Sequence, residues 1–312
     1  MRTLKFLVVV LLLAIPAMVH ADATDVPGSA VWYFHVDLEA MQAEGASQGI
    51  YKWLEDEIFE DINEESGIDV GGEVDRVTAY SLADQGPVIV VEGNISQASK
   101  DKLLAFVAVN GDIQPLKSSG KSYYHLHDSD DQDGKSFRGG KIEIDFESLE
   151  DEAWISVAVA NKIIVTSSEE QMQQLLASGG KIAGAGSHGG ALIVLTAEKT
   201  LLQAGMNSNM LGDDGDSDWD SNILRNAEQI AFMLAARENE IVIEAKLITK
   251  EADMAQSLAS VVRGLIGLTA FSDELDSEAI AVIQGTKVEA DGNELSISLV
   301  ISSAVIVAAL RD

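Results

Sequence analysis

Two stretches of this chain carry the same elements in the same order, and a duplication restricts the available folds more tightly than composition does. Arg76-Val77-Thr78-Ala79-Tyr80, then Val88-Ile89-Val90-Val91, then Ile95-Ser96 reads as strand, turn, strand and helix start. Gln229-Ile230-Ala231-Phe232-Met233, then Ile241-Val242-Ile243, then Ile248-Thr249 repeats that order without a gap and in the same register. The turns coincide as well, Asp84-Gln85-Gly86-Pro87 against Arg237-Glu238-Asn239-Glu240, and Gly or Asn suits a tight reversal. Ser96 and Thr249 then stand as N-cap candidates for matching helices around Lys100 to Val107 and Asp253 to Ile266.

The correspondence extends outwards. An apolar strand precedes each hairpin, Val31 to Val36 in the first half and Ala191 to Leu195 in the second. A further strand pair follows each unit: Trp154 to Ala160 with Ile163 to Thr166, and Ala279 to Ala290 with Leu295 to Ile301. Asn161-Lys162 turns the first pair and Asp291-Gly292-Asn293 the second, and each half closes with a Ser-Ser step into a helix, Glu169 to Ala177 and Ala304 to Leu310. Consecutive hairpins make the strands antiparallel. The expected fold is therefore α+β, with two tandem related halves, mainly antiparallel sheets and helices packed on one face. Residues 22–181 form the first half, 182–189 a glycine-rich linker and 190–312 the second. Separate and merged sheets both satisfy this pattern.

The duplication also bears on the uncharged run Leu295 to Leu310. It is shorter than the roughly 20 residues of a membrane-spanning helix and contains four serines. Its counterpart in the first half carries Lys162, Glu169 and Glu170, so a buried strand and a packed helix account for it better than a membrane tail or a barrel strand.

Ahead of the repeats, Arg2 and Lys5, the apolar stretch Phe6 to Ile15 and the small-x-small site Val19-His20-Ala21 match a Sec signal peptide over residues 1–21, cut between Ala21 and Asp22. The apolar run is interrupted by Pro16 and falls short of a span. With no cysteine in the chain there is neither a lipid-attachment residue nor a disulfide framework, and the expectation is a soluble periplasmic or secreted protein held by an ordinary core. Losing Arg2 and Lys5 with the leader moves the formal charge from -30 to -32. That balance disfavours nucleic acid and anionic lipid surfaces.

No Walker loop, dinucleotide fingerprint or zinc-finger spacing is present. The helix expected over Ser47 to Glu65 places Ile50, Trp53, Leu54, Ile58 and Ile62 at helical spacing, with Glu55, Asp56, Glu60, Asp61 and Glu64 mostly on other faces as a solvated surface. Two acidic loops could hold calcium, which takes six to eight oxygen ligands. One carries Asp128, Asp130, Asp131 and Asp133; the other runs from Asp213 to Asp220, and its alternating Asp214, Asp216, Asp218 and Asp220 make it the better metal candidate. Neither keeps the EF-hand order of glycine and bidentate Glu, and an acidic polar insertion is the plainer account. His125 and His127 alternate on an expected strand and would share a face, a start for a zinc or copper site if a third ligand came from elsewhere.

Ala185-Gly186-Ser187-His188-Gly189 has part of a nucleophile elbow, but helix precedes and strand follows, the reverse of what the elbow needs, and Ala185 replaces its first glycine. A linker explains it better. The function these features support is non-catalytic binding of a protein or small-molecule partner, with a groove or pseudo-symmetric face between the halves as its place and no cofactor required. A calcium-dependent module using the second acidic loop and a hydrolase with an unrecognised site are the alternatives.

Overall fold

The computed structural model describes residues 30–43, 45–66, 68–83, 85–110, 112–127, 137–139, 142–144, 152–182, 190–200, 226–237, 239–269 and 277–311. Strand β1 (Ala30–Asp37) leads into α1 (Leu38–Ala43) and α2 (Gln48–Leu54), which continues through a π-helical turn, Glu55–Phe59, into α3 (Glu60–Ser66). A short α4 (Val70–Glu73) precedes the hairpin β2 (Arg76–Leu82) and β3 (Gly86–Glu92), then α5 (Gln97–Asn110). The strands β4 (Asp112–Ser118), β5 (Lys121–His127), β6 (Phe137–Gly139), β7 (Ile142–Ile144), β8 (Glu152–Ser156) and β9 (Lys162–Thr166) follow, with α6 (Glu169–Ser178) closing the first half. The second half holds β10 (Ala191–Glu198), β11 (Ala227–Arg237), β12 (Glu240–Thr249), α7 (Ala252–Leu268), α8 (Ser277–Gln284), β13 (Lys287–Asp291), β14 (Glu294–Ile301) and α9 (Ser303–Arg311).

The fold is α+β, and the two halves share a single twelve-stranded sheet ordered β13-β14-β12-β11-β10-β1-β2-β3-β9-β8-β5-β4. Every pairing within it is antiparallel. The halves join where β1 pairs with β10, Phe34 opposite Leu195 and Val36 opposite Ile193. Outwards from that pair the order is β1-β2-β3-β9-β8 on one side and β10-β11-β12-β14-β13 on the other. The β4-β5 hairpin adds two strands to the first side only. Its turn residues Ser119 and Gly120 both have positive φ, 51° and 75°, as the primed turns of two-residue hairpins demand.

Two-residue alternation divides the apolar side chains between the faces of the sheet. On one face α1, α2 and α9 cover Val36, Val77, Leu234 and Ile301, α5 covers Ile155 and Ile163, and α7 covers Val288, Leu295 and Ile297. Among the described residues, α6 packs on the opposite face, where Met172, Leu175 and Leu176 meet Tyr33, Tyr80, Val88, Tyr123 and Ile164. The expectation of helices gathered on one face thus holds apart from α6. Helix α9 lies on the other face against α2, Ser303 and Val307 standing where a Cβ at Gly49 would meet them at 3.6 Å.

Local capping explains where these helices begin. Ser96 caps α5 as expected, its Oγ accepting from the Ser99 N–H at 3.1 Å. The Glu73 carboxylate sits at the same helix start: burial opposes its ionisation, but the side chains of Ser96 and Ser99, the Ser96 backbone and nearby Lys102 outweigh that and hold its pKa below the ordinary value.

Two expectations need correction. Thr249 does not cap α7; the cap position is Glu251, and the Thr249 hydroxyl instead donates to the Glu251 and Asn293 carbonyls at 2.8 and 3.0 Å, tying β12 to the β13-β14 turn. The strand expected from Ala279 to Ala290 is two elements, with Ser277–Gln284 helical and only Lys287–Asp291 extended. Gly285 ends that helix, its N–H reaching the carbonyls of Ala281 and Val282 at 3.0 and 3.1 Å.

Candidate functional site

The β1-β10 junction produces an apolar floor on the face that carries most of the helices. Phe34 stands opposite Ala79 on β2 and Leu195 on β10, and Leu195 stands opposite Phe232 on β11. One row along, Trp32 faces Ala197, and Ala197 faces Ile230. These side chains follow from strand alternation in Trp32-x-Phe34 and Leu195-x-Ala197. They remain half-buried, and Leu195 is 44% exposed.

The flanking helices bypass this floor. The α5 cluster reaches inward as far as Val91 on β3, and the α7 cluster as far as Leu247 on β12. Four strands, β2, β1, β10 and β11, lie between β3 and β12, about 24 Å at ordinary strand spacing. Helices α1, α2 and α9 close one end of the same strands over Val36, Ile193 and Leu234. On α7, Val261, Leu265 and Leu268 are exposed apolar residues, at 40%, 52% and 63% exposure. The trough is therefore floored by uncharged side chains in a chain of formal charge -30. The described floor residues can bury apolar surface, and none of them is a group suited to proton transfer or nucleophilic attack.

Beneath the floor, on the other face, His35 is buried and its Nδ1 lies 2.8 Å from the Thr78 hydroxyl, with the Tyr33 ring roughly parallel to it at 6.4 Å between centroids. The pair fixes side chains across β1 and β2, away from the trough. Further along the sheet, His125 stacks on Trp154 at 4.6 Å between centroids and 9° between planes, with Nε2 3.6 Å from the Glu152 carboxylate. Tyr123 donates to Glu169 at 2.6 Å and accepts from Gln173; burial first, then the Glu169 hydrogen bond, raises the pKa of its phenol.

The structure separates the other sequence candidates. Glu55, Asp56 and Glu60 are exposed, while Ile50 and Phe59 of the same helical run are buried, as a solvated helix face requires. Asp214, Asp216, Asp218 and Asp220, the loop containing Asp128 to Asp133, the Ser187-His188 pair and the Ala21-Asp22 cleavage site all lie outside the described residues. Among the described residues no group of three His, Cys, Asp or Glu side chains is arranged to hold a metal ion, and no helix is long and apolar enough to cross a membrane.

Sequence reasoning placed a binding face between the halves without naming Trp32, Phe34 and Phe232 as its lining, and Phe232 also packs against the cluster under α1, α2 and α9. Their alternation was visible; that β1 and β10 pair, leaving these residues between helices, was not. No family model matches the chain, and no curated protein matches it in sequence. Among solved structures it is similar to crystal forms III and IV of TP0453, each at 13% identity with a TM-score of 0.44, covering 92% and 93% of this chain and 96% of the other. Crystal form I of TP0453 is similar at 13% identity and a TM-score of 0.40, covering 92% of this chain and 95% of the other.

Proposed function

We propose that this is an exported binding protein, two copies of one α+β unit joined edge to edge, which engages an uncharged partner segment or ligand along the trough at the junction. The observation that carries the reading is the row Phe34, Leu195 and Phe232: three large apolar side chains aligned across three strands, with Leu195 exposed. Burying such a row stabilises a complex by about 25 cal/mol for each Å² removed from water, and the lack of charge avoids the cost of desolvating ions. The matching strand order on either side of β1 and β10 supports duplication, and the leader over residues 1–21 supports export.

A photo-crosslinking amino acid at Leu195, used in the native envelope, tests the binding reading, with exposed Gln174 on α6 as the control position. The expected result is a discrete adduct from Leu195 that Phe34→Asp suppresses and that Gln174 does not give. The same adducts from both positions would defeat the proposal. N-terminal sequencing of the processed protein tests export, and a start at Asp22 is expected.

A further inference from the structure

The dimensions of the trough narrow what it can take. Along the strands, helices α1, α2 and α9 cover the row Val36-Ile193-Leu234, and two rows lie beyond it, Phe34-Leu195-Phe232 and Trp32-Ala197-Ile230, with Phe232 at the boundary. Two rows are about 13 Å at a rise of roughly 3.3 Å per residue. Across the strands the floor runs about 24 Å, from β3 to β12. A slot of that shape matches one α-helix of about 10–12 Å diameter lying across the strands, about 16 residues long at 1.5 Å per residue.

An extended segment would gain little here. Strands β2, β1, β10 and β11 are each paired on both sides, so the floor presents no free backbone edge, and a chain buried on it must satisfy its own donors and acceptors. A helix does so internally, and the protein already lays one across these strands: the run from α2 to α3 touches α9 at one end and α5 at the other. The central row offers one apolar side chain per strand at about 4.8 Å, close to the 5.4 Å pitch of a helix, so apolar residues at i, i+3 or i+4 and i+7 can meet Phe232, Leu195 and Phe34 in turn.

The borders of the slot select the rest of the partner. On the closed side the α2-to-α3 run exposes Glu55, Asp56, Glu57 and Glu60 against one cation, Lys52. At the mouth Glu198 is exposed, and Lys199 is engaged by Glu228 at 3.0 Å. On the second-half side, Arg263 of α7 donates to the Val288 carbonyl at 2.7 Å, which turns that flank towards the edge strand β13; at about 3.6 residues per turn, Val261 and Leu265 come round to the flank facing β12 and the slot. We propose, resting on the binding reading above, that the trough receives a basic amphipathic α-helix of a partner protein, laid across β2, β1, β10 and β11. Its uncharged side sits on Phe34, Leu195 and Phe232, and its Lys or Arg residues line the acidic border.

Two measurements test this and keep its failure apart from that of the reading beneath it. Sequencing the adduct formed at Leu195 in the native envelope should give a segment with apolar residues at i, i+3 or i+4 and i+7 and Lys or Arg between them. No adduct specific to Leu195 defeats both proposals; a specific adduct that is a small molecule, or an acidic or proline-interrupted segment, leaves trough binding standing and overturns the helix. The second measurement titrates a designed leucine-lysine peptide of that length and spacing into the purified full chain, read by fluorescence anisotropy and circular dichroism. The peptide should bind and gain helicity, and an analogue with Glu in place of Lys should bind roughly tenfold more weakly or worse. Leu195→Asp and Phe34→Asp should each weaken binding by roughly tenfold or more, the exposed Leu195 carrying the test if Phe34→Asp disturbs folding. Glu55→Gln, Asp56→Asn and Glu60→Gln combined should weaken it several-fold at low salt and less at high salt. Absence of binding, binding without gained helicity, equal binding of the Glu analogue, or binding undiminished by Leu195→Asp overturns the proposal.

Discussion

Gln171 lies on the sheet-facing side of α6, 5% exposed, with neither amide atom hydrogen-bonded to another described residue. Burying an amide without partners costs more than the packing of its two methylenes returns. Gln171→Met keeps the length and removes the polar atoms, and should stabilise the protein by about 1–2 kcal/mol in urea unfolding. An unchanged or lowered midpoint would mean that the amide is satisfied in solution. Glu73 poses the opposite case. Its folded pKa is depressed, so its contribution to stability is complete above the unfolded-state pKa, near the ordinary value of 4.5, and disappears as pH falls through the lower folded value. Glu73→Gln should therefore lower stability at neutral pH and flatten the loss of stability below about pH 4.5. A pH titration of the urea midpoint for both proteins checks the sign.

At the scale of elements, Gly93 sets how closely the β3-to-α5 connection passes the α4-to-β2 connection. A Cβ at this position would collide with the Glu73 carbonyl and lie 2.7 Å from the Asp75 nitrogen, both backbone atoms that cannot rotate away. Gly93→Ala should destabilise by about 2–4 kcal/mol, as overpacking against backbone does, and thermal unfolding would show it. This glycine was silent in the sequence, because its constraint comes from a segment twenty residues earlier. Other elements were legible. The helix around Ile50 and Trp53, the β2-β3 and β11-β12 hairpins and the Asp291 to Asn293 turn each follow from local period or turn chemistry. The misread stretch Ala279 to Gln284 shows the limit: Ala-Ile-Ala-Val-Ile suits a strand or a buried helix equally, and only Gly285 separates it from the strand that follows. The candidate site divides in the same way: the alternation Trp32-x-Phe34 and Leu195-x-Ala197 was visible, while their meeting required the β1-β10 register.

At the scale of the whole molecule, both cores spanning the β1-β10 junction draw residues from both halves. Ala30 and Tyr33 pack in one cluster with Ala191, Val194 and Met233, and Leu38, Met41 and Ile50 in another with Leu192, Leu234 and Ile241. A single sheet with shared cores should unfold as one cooperative unit, although two separate domains would give two transitions. Cutting the chain between residues 189 and 190 exposes the long apolar edges β1 and β10, each an unpaired template for strand addition. The fragments 22–189 and 190–312, produced separately, should therefore be poorly soluble alone. Mixed during refolding, they should recover a one-to-one complex with the far-ultraviolet spectrum of the intact chain. Val194→Pro removes a backbone donor within β10 and forces an incompatible φ in the centre of the sheet, so the 190–312 fragment carrying it should fail to recombine. Size-exclusion chromatography of the mixtures decides the matter. Two soluble monomeric fragments with no affinity for one another would show that each half holds its own core and that the β1-β10 pairing is incidental to stability.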